Sequence, residues 1–349
     1  MPRHNNFDGL RLFAALLVLF SHSFSAAGRP EPLIERIGGQ ETFGTIGVAI
    51  FFVISGYLVS ASFSRRSVPD YLKSRALRII PALVLISCFD VFVIGPAFTT
   101  LPLSAYFMNP ATWSHLANLR VFGISEYLPG VFSSLPIQAV NGSLWTLPPE
   151  CSLYLALPVV AFFGGATKRG SVIVFGVCAI SSFILLWLWV GEGIHGFRVP
   201  ALAAKLATYF FAGSALWANR DSVSLRGAGA FGCVAMLCVL GPTPAQSVAF
   251  ATCLPYLVIF AAVKTPVLSL EKIGDLSYGT YLFAFPIQQS LVAMYGFGPW
   301  LLMTTAVPLV LMLALASWRL VEAPSLRFRK RWPADATAVT TAQEPATVH

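Results

Sequence analysis

The sequence predicts an all-α fold, a polytopic transmembrane bundle of about ten spans, and three observations carry that prediction. Of 349 residues, 56% are hydrophobic and only 11% are charged, with a mean hydropathy of +0.72, whereas a soluble domain carries roughly 25% charged residues. Apolar blocks of about 17–25 residues, the length that crosses a ~30 Å hydrocarbon core, recur from end to end. The basic residues then collect on one side of the spans that those blocks define.

The spans fall at about 7–27, 45–63, 79–99, 149–166, 171–191, 199–218, 227–242, 246–263, 276–295 and 299–320, the seventh being short and glycine-rich. The first reads as a true span and not a secretory signal. Its apolar run is long, and it is followed by an acidic, Pro-containing stretch at 30–41 without a small-residue cleavage site.

An even count puts both termini on one face. That face carries Arg3, Arg65, Arg66, Lys73, Arg75, Arg78, Lys168, Arg169, Arg220, Arg226, Lys264, Lys272, Arg319, Arg327, Arg329, Lys330 and Arg331, 17 basic residues in all. The other face has four, Arg29, Arg36, Arg120 and Arg198. The richer face is cytoplasmic by the positive-inside rule, so both termini are cytoplasmic and the chain is a multi-pass protein of the cell (inner) membrane. Attraction to an anionic inner leaflet accounts for the net charge of +8 without any nucleic-acid partner. Residues 1–331 form the membrane-embedded domain, and the small, polar stretch 332–349 is expected to be a disordered cytoplasmic tail. The six cysteines (Cys88, Cys151, Cys178, Cys233, Cys238 and Cys253) lie in or beside apolar spans without a C-x-x-C pair. They read as packed thiols, and no metal is expected.

Polar groups inside a bilayer are costly and mark function. In "RLFAALLVLFSHS", Arg11 and His22 are eleven residues apart, which on an α-helix leaves them about 20° apart in azimuth and about 16 Å apart along the axis. They share one face, with Arg11 near the cytoplasmic boundary and His22 in the outer half. The alternative is that Arg11 snorkels and His22 only hydrogen-bonds a neighbouring helix. Span two, "GVAIFFVISGYLVSASF", has Ser55 and Gly56 at its centre, where small residues admit either another backbone or an extended ligand.

In "YLKSRALRIIPAL", Arg75 and Arg78 are one turn apart at the cytoplasmic mouth of span three. Two guanidiniums on one face suit phosphate or pyrophosphate; a plain positive-inside anchor is the alternative. In "NGSLWTLPPECSLYL", Pro148 and Pro149 start a helix and put Glu150 in its first turn. By the topology that end is extracytoplasmic, so Glu150 is expected to meet His22 and orient its imidazole as a general base. Asp90 is expected to pair with Arg11 or a polar helix neighbour, Lys205 to snorkel or line a cavity, and Asp8 to pair with a basic group at the inner surface. Aromatics in the long 100–147 loop (Tyr106, Phe107, Trp113, Tyr127, Phe132) either stack on a sugar or anchor at the interface.

These segments together resemble the acyltransferase-3 family of integral membrane acyltransferases. "FDGLRLFAALLVLFSHSF" is similar to its opening helix with an R-x10-H pattern, at Arg11 and His22. "FFVISGYL" matches FFxxSG at Phe51, Phe52, Ser55 and Gly56, and "RALR" matches RxxR at Arg75 and Arg78. "SLWTLPPE" resembles W-T-L-x-x-E ending at Glu150, and "VEAPSLRFRKR" resembles the close of the last helix. The resemblance runs from about residue 5 to 331. It implies O-acyl transfer, often of acetyl from cytosolic acetyl-CoA or another acyl-CoA, to a hydroxyl of a carbohydrate or glycolipid acceptor. It implies His22 as the catalytic histidine, either deprotonating the acceptor hydroxyl or taking the acyl group itself before passing it on, supported by Arg11, with Glu150 in the site. It further implies Arg75 and Arg78 on the CoA phosphates and Ser55–Gly56 beside the thioester. One departure is that "SYGTYLFAFPIQQ" carries Ala284 where many members have a second histidine, leaving any such role to Gln288 or Gln289. No fused hydrolase-like domain is expected. Two rival readings remain from the residues alone: a transporter or flippase of a polar solute, against which no internal repeat is seen, and a non-catalytic scaffold.

Overall fold

A segment surrounded by hydrocarbon must satisfy its own backbone N–H and C=O groups, and a helix does so within one strand of chain. The computed structural model describes residues 5–37, 41–240, 244–266 and 273–328; the expected tail at 332–349 lies outside them. The long helices are α1 Phe7–Ala26, α2 Phe43–Phe63, α3 Val68–Phe89, α4 Leu147–Phe162, α5 Lys168–Leu186, α6 Arg198–Ala218, α7 Gly227–Val239, α8 Pro244–Lys264, α9 Ser277–Tyr295 and α10 Pro299–Ser317. No strand occurs among the described residues. Seven of these helices, α1, α2, α3, α5, α6, α8 and α10, are long and apolar enough to cross a membrane, and the chain is a multi-pass helical bundle. The other three fall short for different reasons. The α4 helix has 16 residues and α7 has 13, while α9 has 19 but keeps Thr280, Gln288 and Gln289 fully buried along it.

Helix α3 begins at Val68, well before the expected residue 79, because Ser67 caps it by accepting from the Asp70 N–H and Pro69 suits its first turn. Arg75 and Arg78 therefore lie two to three turns inside the helix, not at its mouth. The polar run "YLKSRALR" hides that start from hydropathy alone.

Helices α1 and α2 run antiparallel. Gly47 lies against Ala14 and Val18, Gly44 lies against Ser21, and the rings of Phe7 and Tyr57 are 5.5 Å apart. Where α2 crosses α6, a Cβ on Gly56 would run into the Phe210 carbonyl and one on Gly213 into the Val53 carbonyl. The two backbones touch there, and a Ser60–Ser214 hydrogen bond of 2.9 Å closes the crossing.

Proline sets the rest of the arrangement. A proline removes the N–H that would bond the carbonyl four residues back. Pro158 in α4 frees the Tyr154 carbonyl, and the Tyr71 hydroxyl of α3 donates to it at 3.0 Å. Pro286 in α9 frees the Leu282 carbonyl, and the Asn141 side-chain amide donates to it at 3.1 Å. Asn141 belongs to the long loop, which thus returns into the bundle before α4 starts. Thr146 hydrogen-bonds Tyr281 at 2.7 Å, and Gly142 packs against the Phe285 ring. This re-entry explains why α4 is short.

The same loop answers the mid-span acid. Asp90, on a π turn spanning Asp90–Ile94, meets His115 at 3.3 Å and the Asn141 amide at 3.4 Å, and not Arg11. The Tyr106 hydroxyl donates to the Val91 carbonyl on that turn at 2.9 Å. Tyr106 and Phe132 are core residues of the loop, Phe107 stacks between Phe92 and Trp113, and Tyr127 is exposed. Lys205 pairs with Glu41 at 2.6 Å.

Tyr71→Phe is expected to destabilise the protein by about 1–3 kcal/mol, the cost of a buried carbonyl left without a donor. In a Pro158→Ala background, which restores the missing N–H, most of that cost should vanish. Thermal melts of the purified single and double variants check this, and equal costs in both backgrounds would contradict it.

Candidate active site

One pocket opens between α1, α2, α3, α4 and α9. Five of the seven residues singled out in the sequence line it together: Arg11, Ser55, Arg75, Arg78 and Glu150. Val48, Phe51, Phe52, Ile79, Thr146, Leu147, Tyr154, Ser277, Tyr278 and Tyr281 complete its wall. Glu150 and Tyr154 are one turn apart on α4, so the tyrosine hydroxyl donates to the carboxylate, and Ser55 Oγ is 2.7 Å from the same hydroxyl. The result is a buried Ser55–Tyr154–Glu150 chain across the pocket.

The charges at one end centre on Asp275, just ahead of α9. Arg78 Nη2 lies 2.5 Å from Asp275 Oδ2, and Arg11 Nη1 lies 3.7 Å from that oxygen. Arg78 also faces Glu322 at 3.8 Å, an acid set on a π turn that follows α10 (Trp318–Glu322), and Arg11 faces Asp8 at 3.8 Å. Burial on its own would raise the Asp275 carboxyl. Arg78, Arg11 and two hydrogen bonds from Ser277 outweigh it and hold the group at about 2. Arg75 is placed differently. Its guanidinium lies over the Tyr154 ring at 5.9 Å and its Nε reaches Ser74 Oγ at 3.4 Å, with no ion pair to any described residue.

His22 lies outside this pocket, toward the other end of α1. Its ring meets Phe285 edge-on, with centroids 5.1 Å apart, and its Nδ1 is buried without a hydrogen-bond partner among the described residues. Glu150, expected to orient this imidazole, sits among the arginines instead, because the re-entrant loop starts α4 inside the bundle and not at its surface. The two regions are nevertheless in line. The pocket wall on α9 runs through Ser277, Tyr278 and Tyr281, and Phe285 is the next turn along, about 6 Å further. Gln288 donates to the Leu19 carbonyl at 2.7 Å and to Ser23 Oγ at 2.6 Å, gripping α1 on either side of His22. Gln289 donates to the Ile137 and Ala139 carbonyls, fixing the loop, and Ala284 is buried in the core. Gly56 faces α6, so of the two neighbours the sequence left open for it, the structure has backbone.

Asp275 has no sequence signal, being one of two acids, with Glu271, in the short stretch between two apolar segments. Glu322 lies in the "VEAPS" segment, but nothing in that segment indicates that it turns toward Arg78. Among the described residues no group of three or more His, Cys, Asp or Glu side chains could hold a metal ion.

A helical bundle with an arginine-lined pocket and, about one turn further along α9, a histidine with a buried ring nitrogen fits an acyl-transfer enzyme. The chain belongs to the acyltransferase-3 family, whose acyltransferase domain matches residues 4–319, and it is an acyltransferase. It is 31% identical over 335 residues to an "O-acetyl transferase" of Shigella phage Sf6, covering 92% of this chain and 96% of that protein. It is 30% identical over 345 residues to "Nodulation protein 10" of Rhizobium leguminosarum bv. viciae, covering 93% and 94% of the two. It is 28% identical over 326 residues to "Exopolysaccharide production protein ExoZ" of Rhizobium meliloti (strain 1021), covering 84% and 93%. No solved structure matches the chain.

The Asp275 carboxyl titrates lower in the folded protein than its ordinary value of 3.8. Its contribution to stability is therefore complete above about pH 4 and is lost as the pH falls toward 2, a change of about 2 kcal/mol. Melting temperatures measured from pH 5 to pH 2 should fall more steeply for wild type than for Asp275→Asn. Parallel profiles would contradict the assignment.

Proposed function

We propose that the protein moves an acyl group, acetyl in the simplest case, from cytosolic acyl-CoA to a hydroxyl of an extracytoplasmic or lipid-linked saccharide. The observation that carries the reading is that one pocket joins Arg11, Ser55, Arg75, Arg78 and Glu150, with the His22–Phe285 contact about one turn of α9 beyond its Tyr281 wall. The printed names of the relatives, an O-acetyl transferase and an exopolysaccharide production protein, agree with it. The donor's phosphates suit the arginine end, and its pantetheine arm suits the uncharged wall of Ser55, Phe51 and Tyr281. Both termini are cytoplasmic in this reading, as the 17 to 4 division of basic residues supports, in an inner membrane.

The acceptor oxygen attacks the thioester carbonyl, a C–O bond forms, and the C–S bond breaks. His22 takes the hydroxyl proton and hands it on to the departing thiolate, so the products are the ester and the free thiol and the imidazole ends the turn neutral. A neutral imidazole is the form that accepts the proton, and its buried Nδ1 has no competing hydrogen bond.

Purified protein in nanodiscs, supplied with radiolabelled acetyl-CoA and cell-envelope saccharide, should release CoA and label the saccharide. His22→Ala should slow this by about 10²- to 10⁴-fold, the usual weight of a general base, with an unchanged melt. Turnover that survives in His22→Ala would remove the histidine from the chemistry. A wild type inert toward every acyl-CoA, but able to move a polar solute, would favour transport.

A further inference from the structure

The two arginines of the RxxR pair are held in opposite ways. Arg78 is bound at 2.5 Å to Asp275 and faces Glu322 at 3.8 Å; Glu322 is buried and the Asp275 side chain keeps only 11% of its exposure. Because Asp275 also faces Arg11, this knot ties α1, α3, α9 and the end of α10 together. A ligand that drew Arg78 away would leave the buried Glu322 without its arginine and take the nearest cation from Asp275. Arg75 makes no ion pair within 4 Å of a described acid. It lies with its guanidinium over the Tyr154 ring, and only its Nε is engaged, at 3.4 Å from Ser74 Oγ, so its terminal nitrogens can turn to a phosphate. It is also three residues nearer the start of α3, about 4.5 Å closer to the face from which the donor arrives in the proposed orientation.

The pairing pattern agrees. Arg11 and Arg78 are the arginines that face Asp8, Asp275 and Glu322, and Glu150 takes its hydrogen bond from Tyr154 and not from an arginine. Of the three guanidiniums that line the pocket, Arg75 is the one without an ion pair to a described residue.

We propose that Arg75 alone of the pair contacts the phosphates of the donor, whereas Arg78 is a positioning residue, locked by Asp275 and Glu322, that holds the pocket walls around the thioester arm. This rests on the acyl-CoA reading above. Donor selectivity for a phosphate-bearing thioester then resides in Arg75.

The test compares acetyl-CoA with acetyl-pantetheine, which carries the same thioester and no phosphate, in wild type, Arg75→Gln, Arg78→Gln, Arg78→Lys and Arg78→Gln/Asp275→Asn. Arg75→Gln should raise KM for acetyl-CoA by about tenfold or more, the weight of one charge-assisted contact. Its effect on acetyl-pantetheine should be much the smaller of the two. Arg78→Gln should lower kcat for both donors alike and lower the melting temperature, with part of both losses recovered when Asp275→Asn removes the stranded charge. Arg78→Lys keeps the cation and should also treat both donors alike, which preserves the comparison if Arg78→Gln does not fold. An Arg78 variant that raises KM for acetyl-CoA selectively would overturn the division. So would an Arg75→Gln that affects both donors equally or neither. A wild type that turns over neither donor would bring down the acyl-CoA reading, and this assignment with it, a result distinct from any change confined to the variants.

Discussion

A carbonyl freed inside hydrocarbon finds no water, so every break in a membrane helix has to be answered by a polar group from elsewhere in the bundle. Pro158 and Pro286 make two such breaks, and the answers come from Tyr71 and Asn141. The first answer docks α4 on α3. The second draws the long loop inward until Thr146 reaches Tyr281 and Gly142 reaches Phe285. Without those contacts α4 would have no reason to begin among the arginines, and Glu150 would not line the pocket. The same constraint governs charge: Asp90 is satisfied by His115 and Asn141, Lys205 by Glu41, and Arg78 by Asp275 and Glu322. The pocket is thus a by-product of how the bundle satisfies its own polar groups.

Much of this was legible in the sequence, and what was not has a physical reason. Hydropathy located each long helix because spanning length and apolar content are local properties. It placed the start of α3 too late, since Ser67 and Pro69 begin the helix in a polar stretch that a hydropathy window discounts. The pocket membership of Arg11, Ser55, Arg75, Arg78 and Glu150 followed from the resemblance and the helical spacing. The partner of Glu150 did not follow. Reading its helix start as a membrane surface assumed a loop that stays outside, and Asn141 pulls that loop in. Asp275 was invisible because its importance lies in two arginines far away in the chain, Arg11 and Arg78.

The pocket and the histidine occupy different stretches of α1, joined along α9 by Tyr281 and Phe285. In the proposed reading that separation has a use. The arginine end meets a charged, water-borne donor, while His22 works where only the thioester end of the donor arrives, and an acceptor approaches from the opposite side. The glutamines that grip α1 and the loop, Gln288 and Gln289, keep His22 and the loop in fixed register while the pocket fills.

The central claim is that donor and acceptor use opposite ends of one pathway. It is tested most directly in sealed proteoliposomes whose protein orientation is sorted by protease access to a C-terminal tag, with acetyl-CoA offered to one face at a time and envelope saccharide present on both. The account predicts that CoA is released only when acetyl-CoA is offered at the face where Arg75 and Arg78 open, and that the label appears on saccharide at the opposite face. Equal release from both faces, or label confined to the face of donor addition, would contradict it.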